Sequence, residues 1–216
     1  MRTRDESKVN LVREKALEML VIEGFNGFSM QKLAKAAGVS PATLYIYYRD
    51  KDDLITQIGV EEGLKMTEAA LEGFSSEMSF ADGLRLQWKN RASYWMKNPI
   101  AVQFFEQIKN SPYHGVVKQT ISKEFSEKMS GFVANAQRNN EVITLSLPVY
   151  WSVAFAPLYN LLYFHTAGRA LGHIPFTLTD EILDQTLELV IKALSPNKLL
   201  SLSLIIWLTF SFCFHQ

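Results

Sequence analysis

Cysteine is almost absent. Cys213 is the one thiol in 216 residues, which rules out an intrachain disulfide and fits a reducing compartment. Net charge is absent too: 22 Lys/Arg balance 22 Asp/Glu, so the whole chain has no electrostatic pull of either sign. The four histidines are scattered, with no His or Cys pair at metal-ligand spacing, and there is no Gly-rich phosphate loop or Gly-x-Ser-x-Gly elbow. With no nucleophile placed beside a base, an enzyme is not expected, and no cofactor or metal is called for. The N-terminus carries no apolar run of signal-peptide type, so a cytoplasmic location is expected. No stretch alternates with period two for long, which argues against a sheet, and no internal repeat appears.

What is present is apolar residues, 48% of the chain, recurring at helical spacing. Residues 8–23 read as a first helix with Val12, Ala16, Met19 and Leu20 on its buried side. Gly24 to Phe28 reads as a turn whose two phenylalanines plug a small core. Further helices are expected over 50–74, 79–97, 99–110, 116–138, 148–171 and, capped by Thr179, through Leu194, with a loop from Gly172 to Phe176. The reading is all-α. The acidic pairs Asp52-Asp53 and Glu61-Glu62 read as solvated helix faces, the first also favouring the helix dipole.

Residues 29–51 organise the rest. Ser29 can cap a short helix on which Leu33, Ala34 and Ala37 share a face, and Gly38 can end it in the left-handed conformation. Ser40 can cap a second helix with Pro41 at its first position, where the missing N–H costs nothing. Two short helices joined by a Gly-containing turn form a helix-turn-helix. Leu44 and Tyr48, four apart, can pack inward, leaving Ala42, Thr43, Tyr45, Ile46 and Tyr47 outside. Small residues at the helix start suit close entry to a major groove, hydroxyls suit phosphates, and Ile46 suits a thymine methyl. Residues 1–51 hold nine Lys/Arg against six Asp/Glu, a modest basic excess in the same region. Arg2 and Arg4 belong to a polar arm, residues 1–7, that could either reach a groove or remain a disordered tail.

The run Ala-Lys-Ala-Ala-Gly-Val-Ser-Pro-Ala-Thr-Leu-Tyr-Ile-Tyr-Tyr-Arg-Asp-Lys-Asp-Asp-Leu, with Ala16-Leu17-Glu18-Met19-Leu20 and Gly24-Phe25 upstream, resembles the signature of the TetR family of bacterial transcriptional regulators over about residues 8–58. The resemblance implies an all-helical homodimer with an N-terminal three-helix DNA-binding domain and a C-terminal ligand-binding and dimerisation domain. It implies a repressor, bound to an inverted-repeat operator and released by a small molecule. The family's matching lysine touches the DNA backbone, which assigns that role to Lys51, at the start of a helix whose N-terminus suits an anion. Gln31 matches a base-contacting position of some members. The candidate DNA-contacting set is therefore Ser29, Gln31, Ser40, Pro41, Ala42, Thr43, Tyr45, Ile46, Tyr47 and Lys51.

The expected domains are 1–53 for DNA binding, 54–195 for ligand binding and dimerisation, and an atypical tail, 196–216. In the family the last two long helices pair with the partner's, and residues 148–171, apolar nearly all round, suit that burial. The second domain is rich in aromatics, and pockets favour aromatic walls. Trp95, Phe104, Phe105, Tyr113, Trp151, Phe155 and Tyr159 are candidate contacts for an apolar or aromatic effector, with core packing as the alternative for each. His165 reads either with this set or as a hydrogen-bonding core histidine. The tail departs from the family: Leu199 to Phe214 is an uncharged run of 16 residues, shorter than the roughly 20 that span a membrane. An aberrant tail, a packing element and a membrane anchor are its readings in that order, and no membrane partner is expected. The rival functions are a helical small-molecule-binding protein without an operator and a tail-anchored sensor.

Overall fold

The computed structural model describes residues 6–196, apart from the side chains of residues 6 and 122–124. Arg2, Arg4, Cys213 and the Leu199–Phe214 run lie outside the described residues. Among the described residues ten α-helices follow one another: α1 (Glu6–Gly27), α2 (Met30–Ala36), α3 (Pro41–Tyr47), α4 (Lys51–Leu71), α5 (Phe80–Lys97), α6 (Pro99–Lys109), α7 (His114–Arg138), α8 (Leu147–Ala154), α9 (Ala156–Ala167) and α10 (Asp180–Leu194). Among the described residues there is no strand, only a single bridge between Arg169 and Pro175.

Two of the boundaries that differ from the sequence reading have a clear local reason. The helix expected over 148–171 is two helices, parted at Phe155 (φ −127°, ψ −26°). Pro157 is the cause: it lacks an N–H, and its ring crowds the carbonyl four residues back, so a new helix starts around it. In the other case, the turn expected from Gly24 is a break at that residue (φ 68°, ψ 174°) followed by one more helical turn through Gly27. Glycine alone adopts that backbone without strain. The break turns the chain so that Phe28 is buried and Phe25 packs at the edge of the same cluster.

The chain divides into two compact units. The first takes the described residues up to Gly73 together with Lys89–Lys128. Its core is one cluster running from Val12, Ala16 and Leu20 of α1 through Leu33, Leu44 and Tyr48 to Leu54 and Ile58 of α4. It continues without a gap into Phe104 and Ile108 of α6 and Val117 of α7. Helices α4 and α7 approach closely at two glycines one turn apart. A Cβ on Gly59 would lie 2.7 Å from a Val117 methyl, and one on Gly63 would lie 2.9 Å from Ile121 Cδ1.

The second unit takes Phe74–Trp88 and the described residues from Met129 on. Phe132 is fully buried, edge-on to Phe74 at 5.1 Å and stacked on Phe80 at 6.0 Å. The Trp88 indole N–H donates to Ala154 O at 2.8 Å, which satisfies a polar atom inside the core. Thr179 caps α10, its hydroxyl accepting from Ile182 N–H at 3.3 Å, as the sequence suggests. His165 is a hydrogen-bonding histidine in this unit: its Nδ1 accepts the Leu178 N–H at 3.1 Å.

Candidate nucleic-acid interface

The helix pair is built by two serine caps and one glycine. Ser29 Oγ accepts the Lys32 N–H at 3.2 Å, starting α2. Gly38, at φ 65°, ends it while the Val39 N–H returns to Ala34 O at 2.9 Å. Ser40 Oγ accepts the Thr43 N–H at 3.1 Å and lies 2.9 Å from Thr43 Oγ1, and Pro41 occupies the first turn of α3. Each cap is worth about 1 kcal/mol, a large share for helices of seven residues that are too short to stand alone.

Leu44 and Tyr48 fix the rotation of α3. Both are buried, and burying each adds roughly 1.5–3 kcal/mol. With those two turned in, Ala42, Tyr45 and Ile46 are exposed, Ile46 to 75% and Tyr45 to 50%, and Thr43 and Tyr47 are half-buried. A large apolar side chain three-quarters exposed on a helix of this size gains nothing from the fold. Gln31 and Lys35 are exposed on α2, while Lys32 is engaged, its ammonium bonding Glu23 and Gly27 O. The whole candidate set named from the sequence lies in the first unit, on α2, on α3, at their caps and at the start of α4.

The joint from α3 to α4 is tied by carboxylates: Asp52 is exposed and Asp53 partly so, and both also hold specific hydrogen bonds. Asp50 caps α4, accepting the Asp53 N–H at 2.8 Å. Asp53 accepts the Arg49 N–H at 2.9 Å, the Arg49 guanidinium at 3.0 Å and the Gln57 amide at 3.0 Å. The Arg49 backbone N–H first, then its side chain, hold the Asp53 carboxyl below the usual carboxylate pKa. Asp52 accepts the Tyr113 hydroxyl at 2.6 Å. Glu61-Glu62 is likewise engaged: Glu61 pairs with Arg13 at 2.9 Å and Lys65 at 3.1 Å, and Glu62 with Lys65 at 2.7 Å. The Arg49–Asp53 spacing of four residues was a legible signal for one of these pairs. The Tyr113–Asp52 pair is separated by 61 residues and carries no local signal.

A profile of the bacterial regulatory proteins of the tetR family matches residues 12–58, the three helices just described and the first turns of α4. The helix-turn-helix region is of TetR-family type. An uncharacterised HTH-type transcriptional regulator of Haemophilus influenzae is 28% identical over 171 residues, 79% of this chain and 86% of that protein. The crystal structure of a TetR family transcription regulator from Marinobacter aquaeolei superposes with a TM-score of 0.74 at 26% identity, covering 91% of this chain and all of that one. A TetR-family regulator from Haemophilus influenzae, at 22% identity and a TM-score of 0.73 over 90% of this chain and all of that one, shares the fold. This chain is a DNA-binding transcriptional regulator rather than an enzyme.

The seven aromatic residues named for an effector fall in both units. Trp95, Phe104, Phe105 and Tyr113 belong to the first, where Phe104 is fully buried and edge-on to Phe105 at 6.2 Å and to Phe25 at 6.4 Å. Trp151, Phe155 and Tyr159 belong to the second; Phe155 is fully buried, 4.6 Å from the Trp151 ring, and Trp151 is partly exposed. The first unit also holds a cleft of about 420 Å³ between α4 and α7. Leu64, Leu71 and Ile121 supply apolar walls, and Thr67, Glu68 and Lys128 supply polar groups. None of the seven aromatics is among its described lining residues. No described helix is long and apolar enough to cross a membrane.

Proposed function

We propose that the protein is a homodimeric repressor that binds an inverted-repeat operator and leaves it when a small apolar or aromatic molecule binds. The observation that carries the DNA half is the rotation of α3, with Leu44 and Tyr48 buried and Ala42, Tyr45 and Ile46 presented outward. In this reading Ile46 and Gln31 meet base edges, while Thr43, Tyr45, Tyr47 and Lys51 hold phosphates, with Ser29, Ser40, Pro41 and Ala42 bringing the backbone close. Two such heads enter successive major grooves about 34–36 Å apart.

Dimerisation is supported by the second unit. It exposes Leu147 to 72%, Tyr163 to 65%, Leu171 to 78% and Leu189 to 63%, on α8, α9, the following loop and α10. Apolar exposure of that extent suits a self-complementary interface between two copies. The effector reading draws on the α4–α7 cleft, whose volume suits a small molecule, and on the aromatic residues already named. To act, the effector must bind the non-DNA state more tightly than the DNA-bound one.

The test is fluorescence anisotropy of the chain on duplexes from upstream of its own gene, over a salt series and against scrambled DNA. Tight, steeply salt-dependent binding to one fragment with two chains per site is the expected result. Equal weak binding to both DNAs refutes an operator in that region. A selection from random-sequence duplex that enriches nothing refutes the operator altogether.

A further inference from the structure

The first turn of α4 carries Lys51; Leu54 anchors its inner side in the core, and most of the hydrogen bonds on its outer side are local. Asp50 caps its own helix, and Asp53 bonds Arg49 and Gln57, four residues to either side. Such bonds tie the polar side of the turn to its neighbours in sequence, leaving Leu54 and Ile55 as its apolar hold on the body of the unit. The bond from Tyr113 to Asp52 differs, since its donor stands 61 residues away in the segment joining α6 to α7.

Tyr113 is itself held on three sides. Its backbone N–H donates to Ser111 Oγ at 3.2 Å, and that hydroxyl donates to Ile108 O at 2.8 Å. Its ring stands edge-on to Phe25 at 5.3 Å, and Phe25 stands edge-on to Phe104. Nearby, the Gln107 amide of α6 donates to Val21 O of α1 at 3.0 Å. The α6–α7 corner thus grips α1 through Gln107 and Phe104, and grips α4 through Tyr113. Helices α2 and α3 lie between these two points of attachment in the chain. A hydroxyl donating to a carboxylate is a charge-assisted bond, stronger and more directional than a neutral one.

We propose that Tyr113 is a positioning residue for DNA binding: its hydroxyl holds Asp52, and with it the Lys51 turn of α4, against the α6–α7 corner. The inference rests on the reading of the α4 start as a backbone contact. It makes the hydroxyl, and not only the ring, matter to affinity. Removing it leaves the aromatic packing on Phe25 and the burial of Leu54 intact, and loosens only the outer, Lys51–Asp52 side of the turn.

The experiment is a double-mutant cycle in the full chain, using Tyr113→Phe, Asp52→Ala and the pair, with Lys51→Ala alongside. The probe is duplex DNA enriched by the unaltered chain from a random-sequence pool, and melting temperature is recorded for each variant. Tyr113→Phe is expected to weaken binding about three- to tenfold, the scale of one ordinary hydrogen bond, because the pair is solvent-exposed. In the Asp52→Ala background the same change should cost less than about twofold, because the partner is already gone. An undiminished loss in that background overturns the proposal, since the hydroxyl would then act elsewhere. A lower melting temperature with unchanged affinity also overturns it, reducing Tyr113 to a stabilising residue. An intact cycle beside an unchanged Lys51→Ala salt slope supports Tyr113 and removes Lys51 from the contacts. A pool that enriches no duplex overturns the operator reading and this proposal with it.

Discussion

Replacing Gly83 with alanine would place a methyl where the second unit has no room for one. The new Cβ would lie 2.4 Å from Phe132 Cε2 and 2.6 Å from Cζ, whereas ordinary contact begins at 3.4 Å, so the ring must retreat by about 1 Å. Phe132 is fully buried, with Phe74 and Phe80 against it, and has no open side to retreat to. Overpacking of this kind costs about 1–3 kcal/mol, and a rigid buried ring puts the cost at the upper end. Helix propensity offsets about 1 kcal/mol, because alanine replaces glycine inside α5. The net expectation is a loss of about 2 kcal/mol. Gly131→Ala is the matched control: it lies in the same unit and inside α7, and its Cβ would meet Ser76 Cβ at an ordinary 3.4 Å. That variant should gain about 0.5–1 kcal/mol from propensity alone. For a chain of this size the two should melt several degrees apart, at about 2–4 °C per kcal/mol. Urea unfolding should show shifted midpoints with unchanged slopes. A Gly83→Ala protein as stable as the parent would refute the close approach of α5 to Phe132.

Three further outcomes are expected. Lys51→Ala should weaken binding to every DNA sequence alike and flatten the salt slope by about one per bound chain; an unchanged slope would contradict its phosphate role. Because the Asp53 pKa lies below its ordinary value, its stabilisation is fully present above about pH 4, the unfolded carboxylate pKa, and is lost as pH falls through the depressed folded value. Asp53→Asn should therefore shrink the acid limb of a urea-midpoint against pH curve, and superimposable limbs would count against the Arg49–Asp53 tie. In the alkaline range, burial and then the Glu62 charge push the Tyr94 phenol up to about 12, and burial and then the Asp52 bond push Tyr113 to about 12. Both are raised, so their contribution holds below about pH 10 and is lost as pH rises through 12. Ultraviolet titration should find late phenols, one of which disappears in Tyr113→Phe; eight tyrosines titrating together near 10 would refute this.

The reading helices were legible because everything that makes them is local. Ser29, Gly38, Ser40-Pro41 and Asp50 act on backbone groups within four residues of themselves, and the inward pair Leu44 and Tyr48 follows from helical spacing. The break at Phe155 was visible as Pro157, but an apolar run on both sides hid it behind a continuous helical pattern. Contacts made across the chain were not legible. Nothing near Asp52 points to Tyr113, and nothing near Glu61 points to Arg13. The aromatic residues were ambiguous for the same reason: Phe104 and Phe155 are fully buried, Trp151 is partly open, and composition cannot separate these cases.

The division of labour within α3 bears on how such a regulator can change its target over time. Two residues, Leu44 and Tyr48, hold the helix in place, and the caps at Ser40 and Tyr48 set its ends. Ala42, Tyr45 and Ile46 are exposed and contribute little to that stability. Substitutions at those three positions are therefore nearly free of folding cost, in the range of ordinary surface changes of about 0.5 kcal/mol or less. A duplicated copy of this gene could drift to a new DNA sequence through these positions without passing through an unfolded intermediate, and a library confined to them would sample recognition while keeping the scaffold constant.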